Sequence, residues 1–173
     1  MKKLSWLLLA TLMFAFTGCS NADDEPEENG GGVTPPTEKA GTGTETDPYN
    51  VTAAIAQNNS GAEAWVKGYI VGQIAGMSVE QAEFAPPFHG ATDDKTGVAA
   101  TAGTNLLIAA DAEETNIGKC IIVQLPVGEI RTALELVAAA NQGNKGKELI
   151  IKGKLEKYYG AIGLKSCTTA LFD

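Results

Sequence analysis

The sequence predicts a mainly β fold: five short strands coiled as a small Greek-key barrel, a helix between the third and fourth strands, and a short helix ahead of the first. Three observations carry this. Five segments with strand propensity fall between residues 64 and 172, separated by turn-forming or polar stretches. A single stretch among them, Glu129 to Ala140, switches to helical spacing. And one face of the first strand alternates glycine with small residues, as a strand that must coil tightly requires.

The elements follow in order. Asp47-Pro48 reads as a cap with proline in the first helical turn, and Val51, Ala54 and Ile55 recur at helix spacing, giving a helix of about ten residues that stops near Asn58-Asn59-Ser60-Gly61. Strand one spans Ala64 to Gln73. Its two faces are Trp65, Lys67, Tyr69, Val71 and Ala64, Val66, Gly68, Ile70, Gly72. Residues 75–104 carry Pro86-Pro87 and several glycines without a period, which reads as an inserted loop with a short helix near Val79–Ala82. Asn105 to Asp111 and Cys120 to Leu125 are strands two and three, joined by the polar connector Ala112 to Lys119, and Pro126 stops the third. In the helix, Ile130, Ala133, Leu134 and Val137 line one face, and Asn141-Gln142-Gly143 closes it. Lys147 to Lys157 alternates as strand four, with Leu149, Ile151, Gly153 and Leu155 inward. The turn at Tyr158-Tyr159-Gly160 leads to strand five, Ile162 to Phe172. Three strands, a helix and two strands is the layout of an OB-fold; an open α+β sandwich uses the same elements.

Ahead of this lies an address. Lys2 and Lys3 precede an apolar run from Leu4 to Phe16, too short to span a bilayer, and Thr17-Gly18-Cys19 follows. Residues 1–18 therefore read as a signal peptide. The segment resembles the bacterial lipobox, with Phe16 where leucine is usual, and that resemblance implies that Cys19 is lipidated and becomes the mature N-terminus. Residues 19–45 are acidic and rich in glycine and proline, a composition that cannot bury enough apolar surface to fold, so they form a tether, and 46–173 the domain. Ser20-Asn21-Ala22-Asp23-Asp24-Glu25 resembles the surface-export signal of Bacteroidota lipoproteins. The implied location is the outer membrane, exposed at the cell surface, with the acyl anchor on Cys19 as the contact with lipid.

Within the domain, Gly41-Thr42-Gly43-Thr44 with Asp47-Pro48-Tyr49, Trp65-Val66-Lys67-Gly68-Tyr69-Ile70-Val71-Gly72, Val123-Gln124-Leu125-Pro126, Gly143-Asn144-Lys145-Gly146-Lys147 and Leu155-Glu156-Lys157-Tyr158-Tyr159-Gly160 carry a family likeness. The chain resembles an OB-fold-like domain of unknown function found in secreted and surface lipoproteins of gut Bacteroidota, similar to OB-fold modules attached to extracellular nucleases. The resemblance covers about residues 41–173 and implies a binding accessory with no assigned ligand.

Composition narrows the chemistry. The lone histidine, His89, lies near Asp93 and Asp94, a poor set for a metal, and no cofactor motif is present, so the domain is expected to be non-catalytic. Cys120 and Cys167 form either a disulfide or two buried thiols. Without residues 1–18 the chain carries 11 basic and 21 acidic residues, and only residues 141–173 are basic, with six lysines against three acids. Lys152, Lys154, Lys157 and Lys165, interleaved with Tyr158 and Tyr159, read either as a solvated hairpin face or as a ligand surface. Trp65 and Tyr69 read as half-buried packing. The expected function is a surface-tethered binding module for a glycan, peptide or oligonucleotide, nucleic acid being disfavoured by the acidic balance. The alternative is an accessory subunit that docks onto an outer-membrane protein complex.

Overall fold

The computed structural model describes residues 39–91, 100 and 103–173. The signal peptide, Cys19, the acidic run, Asp93 and Asp94 lie outside the described residues. No described helix is long and apolar enough to cross a membrane.

The domain is mainly β, with seven strands among the described residues in place of the five expected. These are β1 (Tyr49–Asn50), β2 (Glu63–Ile74), β3 (Ala82–Glu83), β4 (Asn105–Ala109), β5 (Cys120–Gln124), β6 (Glu148–Leu155) and β7 (Gly163–Phe172), with helices α1 (Val51–Ala56) and α2 (Glu129–Leu134). The five long strands are those expected; β1 and β3 are two-residue additions that pair with β2. Short 3-10 turns lie at Val79–Gln81, Ile117–Lys119 and Ala139–Asn144. The sheet runs β1-β2-β4-β5-β7-β6, and β2 also pairs with β6, so the five long strands form a closed ring of pairings. Among the described strands, only β1–β2 and β5–β7 are parallel.

The inward face follows the alternation of the strands. Val66, Ile70, Leu106, Ile108, Ile121, Val123, Leu149, Ile151, Leu155 and Leu164 are fully buried together, with Val51 and Ala54 of α1 and Leu134 of α2. A second, smaller core lies on the other face of β2, β4 and β5. There Val71, Ile74, Leu107, Ala109, Cys120 and Ile122 are covered by Val79, Ala82 and Phe84 from the segment after β2, and by Tyr158, Tyr159 and Ala161 from the β6–β7 turn. The segment 75–91 lacks a period because its apolar residues divide between the two cores: Phe88, 3% exposed, belongs to the inner one.

Three boundaries move. The first helix begins at Val51, with Asn50 as its cap: Asn50 Oδ1 accepts the Ala53 N–H at 2.7 Å. Asp47-Pro48 does not start it, because Tyr49-Asn50 are held extended against Val66-Lys67. The folded part also begins before residue 46. The Thr42 and Gly43 N–H groups donate to the Asp47 carbonyl, and the Gly43 carbonyl accepts the Trp65 N–H at 2.9 Å. Gly41 sits there at φ +77°, with the Pro48 carbonyl where a Cβ would stand. Finally, α2 ends at Leu134 rather than Ala140. The chain turns extended at Glu135, whose carboxylate accepts the Gly103 N–H at 2.8 Å, and Asn141 Nδ2 donates to the Thr132 and Glu135 carbonyls. Leu136 rather than Val137 is therefore the residue buried in the inner core.

The disulfide does not form; both cysteines are free and buried. Cys167 lies in the inner core and Cys120 in the outer. In the β5–β7 register, Ile122 opposite Gly163, they stand about six residues apart, roughly 20 Å along the strands. Burial pushes both thiols up to about 12.

Candidate functional site

One end of the ring gathers the loops. Here β2 and β5 finish, β4 and β7 begin, and the segment 75–104, the turn at Pro126-Val127-Gly128 and the β6–β7 turn all depart. The end is fastened by Asn105. Its Oδ1 accepts the Ile74 N–H at 2.6 Å and its Nδ2 donates to the Ile74 carbonyl at 2.9 Å, in the manner of one more strand residue.

A bulge sets which side chains arrive. Ile70 pairs with Ile108, but Gly72 pairs with Leu107, so Val71 is an extra residue and the alternation of β2 inverts beyond it. Leu107 and Ile74 belong to the outer core, which turns Gln73 inward. The expected face containing both Ile70 and Gly72 therefore breaks at this point. Gly72 is required here because β3 crosses it: a Cβ would stand 2.0 Å from the Glu83 carbonyl oxygen.

Gln73 is 1% exposed and heads a polar network. Its Nε2 donates to Glu83 Oε2 at 3.1 Å and to the His89 carbonyl at 2.7 Å. Glu83 Oε2 also accepts the His89 N–H at 2.8 Å, and Oε1 pairs with His89 Nδ1 at 2.7 Å. Burial raises the Glu83 carboxyl, but these hydrogen bonds outweigh it and hold it below the usual carboxylate range. With two acceptors fixing the amide nitrogen, Gln73 Oε1 is left buried with no partner. Beside it opens a cavity of about 200 Å³, whose walls include Gln73, Ile74, Met77, Gly103, Val137 and Tyr159. Met77 and Val127, 85% and 86% exposed, stand on loops at this same end.

The lysine and tyrosine surface expected from the sequence divides in two. Tyr158 and Tyr159 pack on the outer core, edge to face with centroids 4.6 Å apart, and Tyr159 Oη donates to the Gly76 carbonyl at 3.2 Å. Burial beside Tyr159 pushes the Tyr158 phenol up to about 12. The cause is the turn itself, which the Tyr158–Ala161 bridge folds over β5 rather than onto β6. Lys152 and Lys154 instead share the outward face of β6, with Lys152 opposite Trp65 and Thr169. Each of three lysines on this face has an acid: Lys152 meets Glu63 at 2.8 Å, Lys67 meets Glu148 at 3.2 Å, and Lys165 meets Glu156 at 3.7 Å. Lys154 stands opposite Lys165, and Lys157 is exposed in the following turn. Trp65 and Tyr69 are half-buried, Tyr69 against the outer core.

Sequence reasoning passed over Gln73, Glu83 and Asn105, and placed His89 only beside Asp93 and Asp94; its ring is exposed and pairs with Glu83. A Gln ending a strand and a Glu-x5-His spacing are the only local signals, and neither is specific.

Residues 49–173 match the family described as Domain of unknown function (DUF6359). No curated protein and no solved structure matches the chain.

Proposed function

We propose that this chain, which belongs to the DUF6359 family, is a non-catalytic binding module held at the cell surface by a lipid on Cys19, and that it takes its ligand at the loop end of an OB-fold-like barrel. The order of the ring supports the fold: three antiparallel strands, a parallel β5–β7 contact, and closure of the first long strand onto the fourth match the strand order of that barrel. The observation that carries the function is the cavity at the loop end, walled by the buried Gln73 amide, by His89, Thr104 and Tyr159, and by apolar Ile74 and Val137, with exposed Met77 beside it. Binding suits the chemistry better than catalysis. The Glu83 carboxylate is committed to three hydrogen bonds, and both described thiols stay protonated at any ordinary pH.

A polyanion is the least suitable ligand, because Lys152 and Lys165 of the basic strands already carry acids. Docking onto an outer-membrane complex is the second reading, favoured by the charge-matched face of β2, β6 and β7 with Leu171 47% exposed at its edge.

The anchor is tested by Cys19→Ala, which should abolish fatty-acid labelling and membrane fractionation; unchanged labelling sinks it. For the ligand, melting shifts of the full chain against peptides, glycans and single-stranded DNA at two ionic strengths should show a salt-insensitive partner whose effect disappears in Val137→Phe, a substitution that fills the cavity. A partner indifferent to Val137→Phe but lost on Trp65→Ala moves the function to the outer face.

A further inference from the structure

The orphan oxygen of Gln73 specifies what the cavity accepts. We infer that it receives one side chain of a partner peptide, apolar in body and carrying a single N–H or O–H donor, such as an indole, phenol or hydroxyl. This rests on the reading of the loop end as the binding site and adds the ligand's chemistry to it.

Four observations lead there. First, a buried acceptor without a partner is costly, and such groups in native proteins are matched by water or ligand. Gln73 Oε1 is such a group, and its amide cannot flip to hide it, because Nε2 is held by both Glu83 and the His89 carbonyl. Second, its cover is thin on one side: Gly103 lies over it without a side chain, and a Cβ placed there would stand 3.4 Å from that oxygen. Third, the other polar side chains of the wall, His89, Tyr159 and Thr104, already have partners in Glu83, the Gly76 carbonyl and Tyr158, and Ile74, Met77 and Val137 are apolar. A sugar ring presents several hydroxyls that would each need a partner here, whereas an apolar side chain with one donor leaves none unmatched. Fourth, at about 200 Å³ the cavity is smaller than the roughly 300–1,000 Å³ of ordinary small-molecule sites, which suits one residue of a longer ligand. Exposed Met77 and Val127 offer adaptable apolar contact to the residues on either side of it.

The test uses NMR on the isotope-labelled full chain, with N-acetyl amides of Trp, Tyr and Thr as donor probes, the Phe and Val amides as matched probes without donor, and N-acetylglucosamine as the sugar. Expected is saturable movement of the Gln73 side-chain amide and of the Gly103, Val137 and Met77 signals by the Trp or Tyr probe, with the Phe probe about tenfold weaker. Gln73→Leu should remove this preference. Because that variant also releases Glu83, Gly103→Ala serves as a second arm: the network stays, the oxygen is screened, and Tyr should fall to the level of Phe. Equal binding of Phe and Tyr in the unaltered chain overturns the donor requirement. Stronger binding of the sugar at the same signals overturns the peptide class while leaving the loop end as the site. Were water the natural partner, no probe would move these signals, which overturns the inference; the loop end itself falls only if the melting shift of a partner is indifferent to Val137→Phe.

Discussion

The outer face of β2, β6 and β7 and the loop end draw on the same strand, β2, yet they treat their polar groups in opposite ways. On the face, Lys67, Lys152 and Lys165 meet Glu148, Glu63 and Glu156 across neighbouring strands or along the turn, all in reach of water. Such pairs contribute about 1 kcal/mol or less each, and water replaces any partner that is lost. At the loop end, Gln73, Glu83 and His89 hold one another with short bonds around a buried amide, and one oxygen is left over. The buried Gln73 amide has no substitute for a lost partner, whereas the His89 ring at its rim is open to water. Exposure thus makes the face tolerant, and burial makes the loop end exacting.

The largest expected effect sharpens this contrast within one strand. Ile151→Asp puts an unpaired charge into the inner core, costs more than about 4 kcal/mol and should prevent folding. Ile150→Asp, one residue away on the half-buried outer side, should leave a cooperative melting curve. If both variants fold, the register of β6 is wrong. Next comes Gly72→Ala, which drives a methyl into the Glu83 carbonyl and should cost about 3 kcal/mol by forcing β3 off β2. Chemical denaturation measures it, and a neutral result would mean that β3 does not cross there.

Glu83→Gln tests the polar network at smaller scale, with an expected loss of about 1–2 kcal/mol at neutral pH. Its pH dependence has a definite sign. The folded carboxyl lies below its ordinary value of 4.5, so its contribution is complete above that pH and fades as pH falls through the lower folded value. The gap between the two proteins should therefore close on acidification below about pH 4.5; a constant gap from pH 7 to 3 argues against the network. Smallest is Lys152→Ala, at or below about 1 kcal/mol and further reduced by salt, read by melting at two ionic strengths. A larger, salt-independent loss would show that the face is less tolerant than its exposure implies.

Sequence periodicity made the five long strands legible, along with the start of α2 and the inward row Leu149, Ile151, Leu155, because each depends on neighbours within a few residues. The features it missed depend on distant partners. Gln73 turns inward only because β4 imposes a bulge at Val71, and local alternation places it on the other side. Helix α2 stops at Leu134 because Asn141 takes its last carbonyls and Glu135 turns to Gly103, 32 residues earlier. The lysines admit a ligand-surface reading beside that of a solvated face because Glu63, the partner of Lys152, is supplied from another strand. Cys120 and Cys167 looked pairable because strand proximity is readable, whereas the face and height of each residue are not.

Phe88 carries a kinetic consequence. The segment after β2 covers the outer core and then seats this ring in the inner one, 3% exposed. Swinging the segment away would return the ring to water at a cost of about 1.5–3 kcal/mol, before any hydrogen bond is counted, which keeps the open population below about 10%. A partner at the loop end then meets walls already in place. Its arrival would be limited by collision and orientation, at about 10⁵–10⁷ M⁻¹ s⁻¹, and differences among partners would appear in how long each remains.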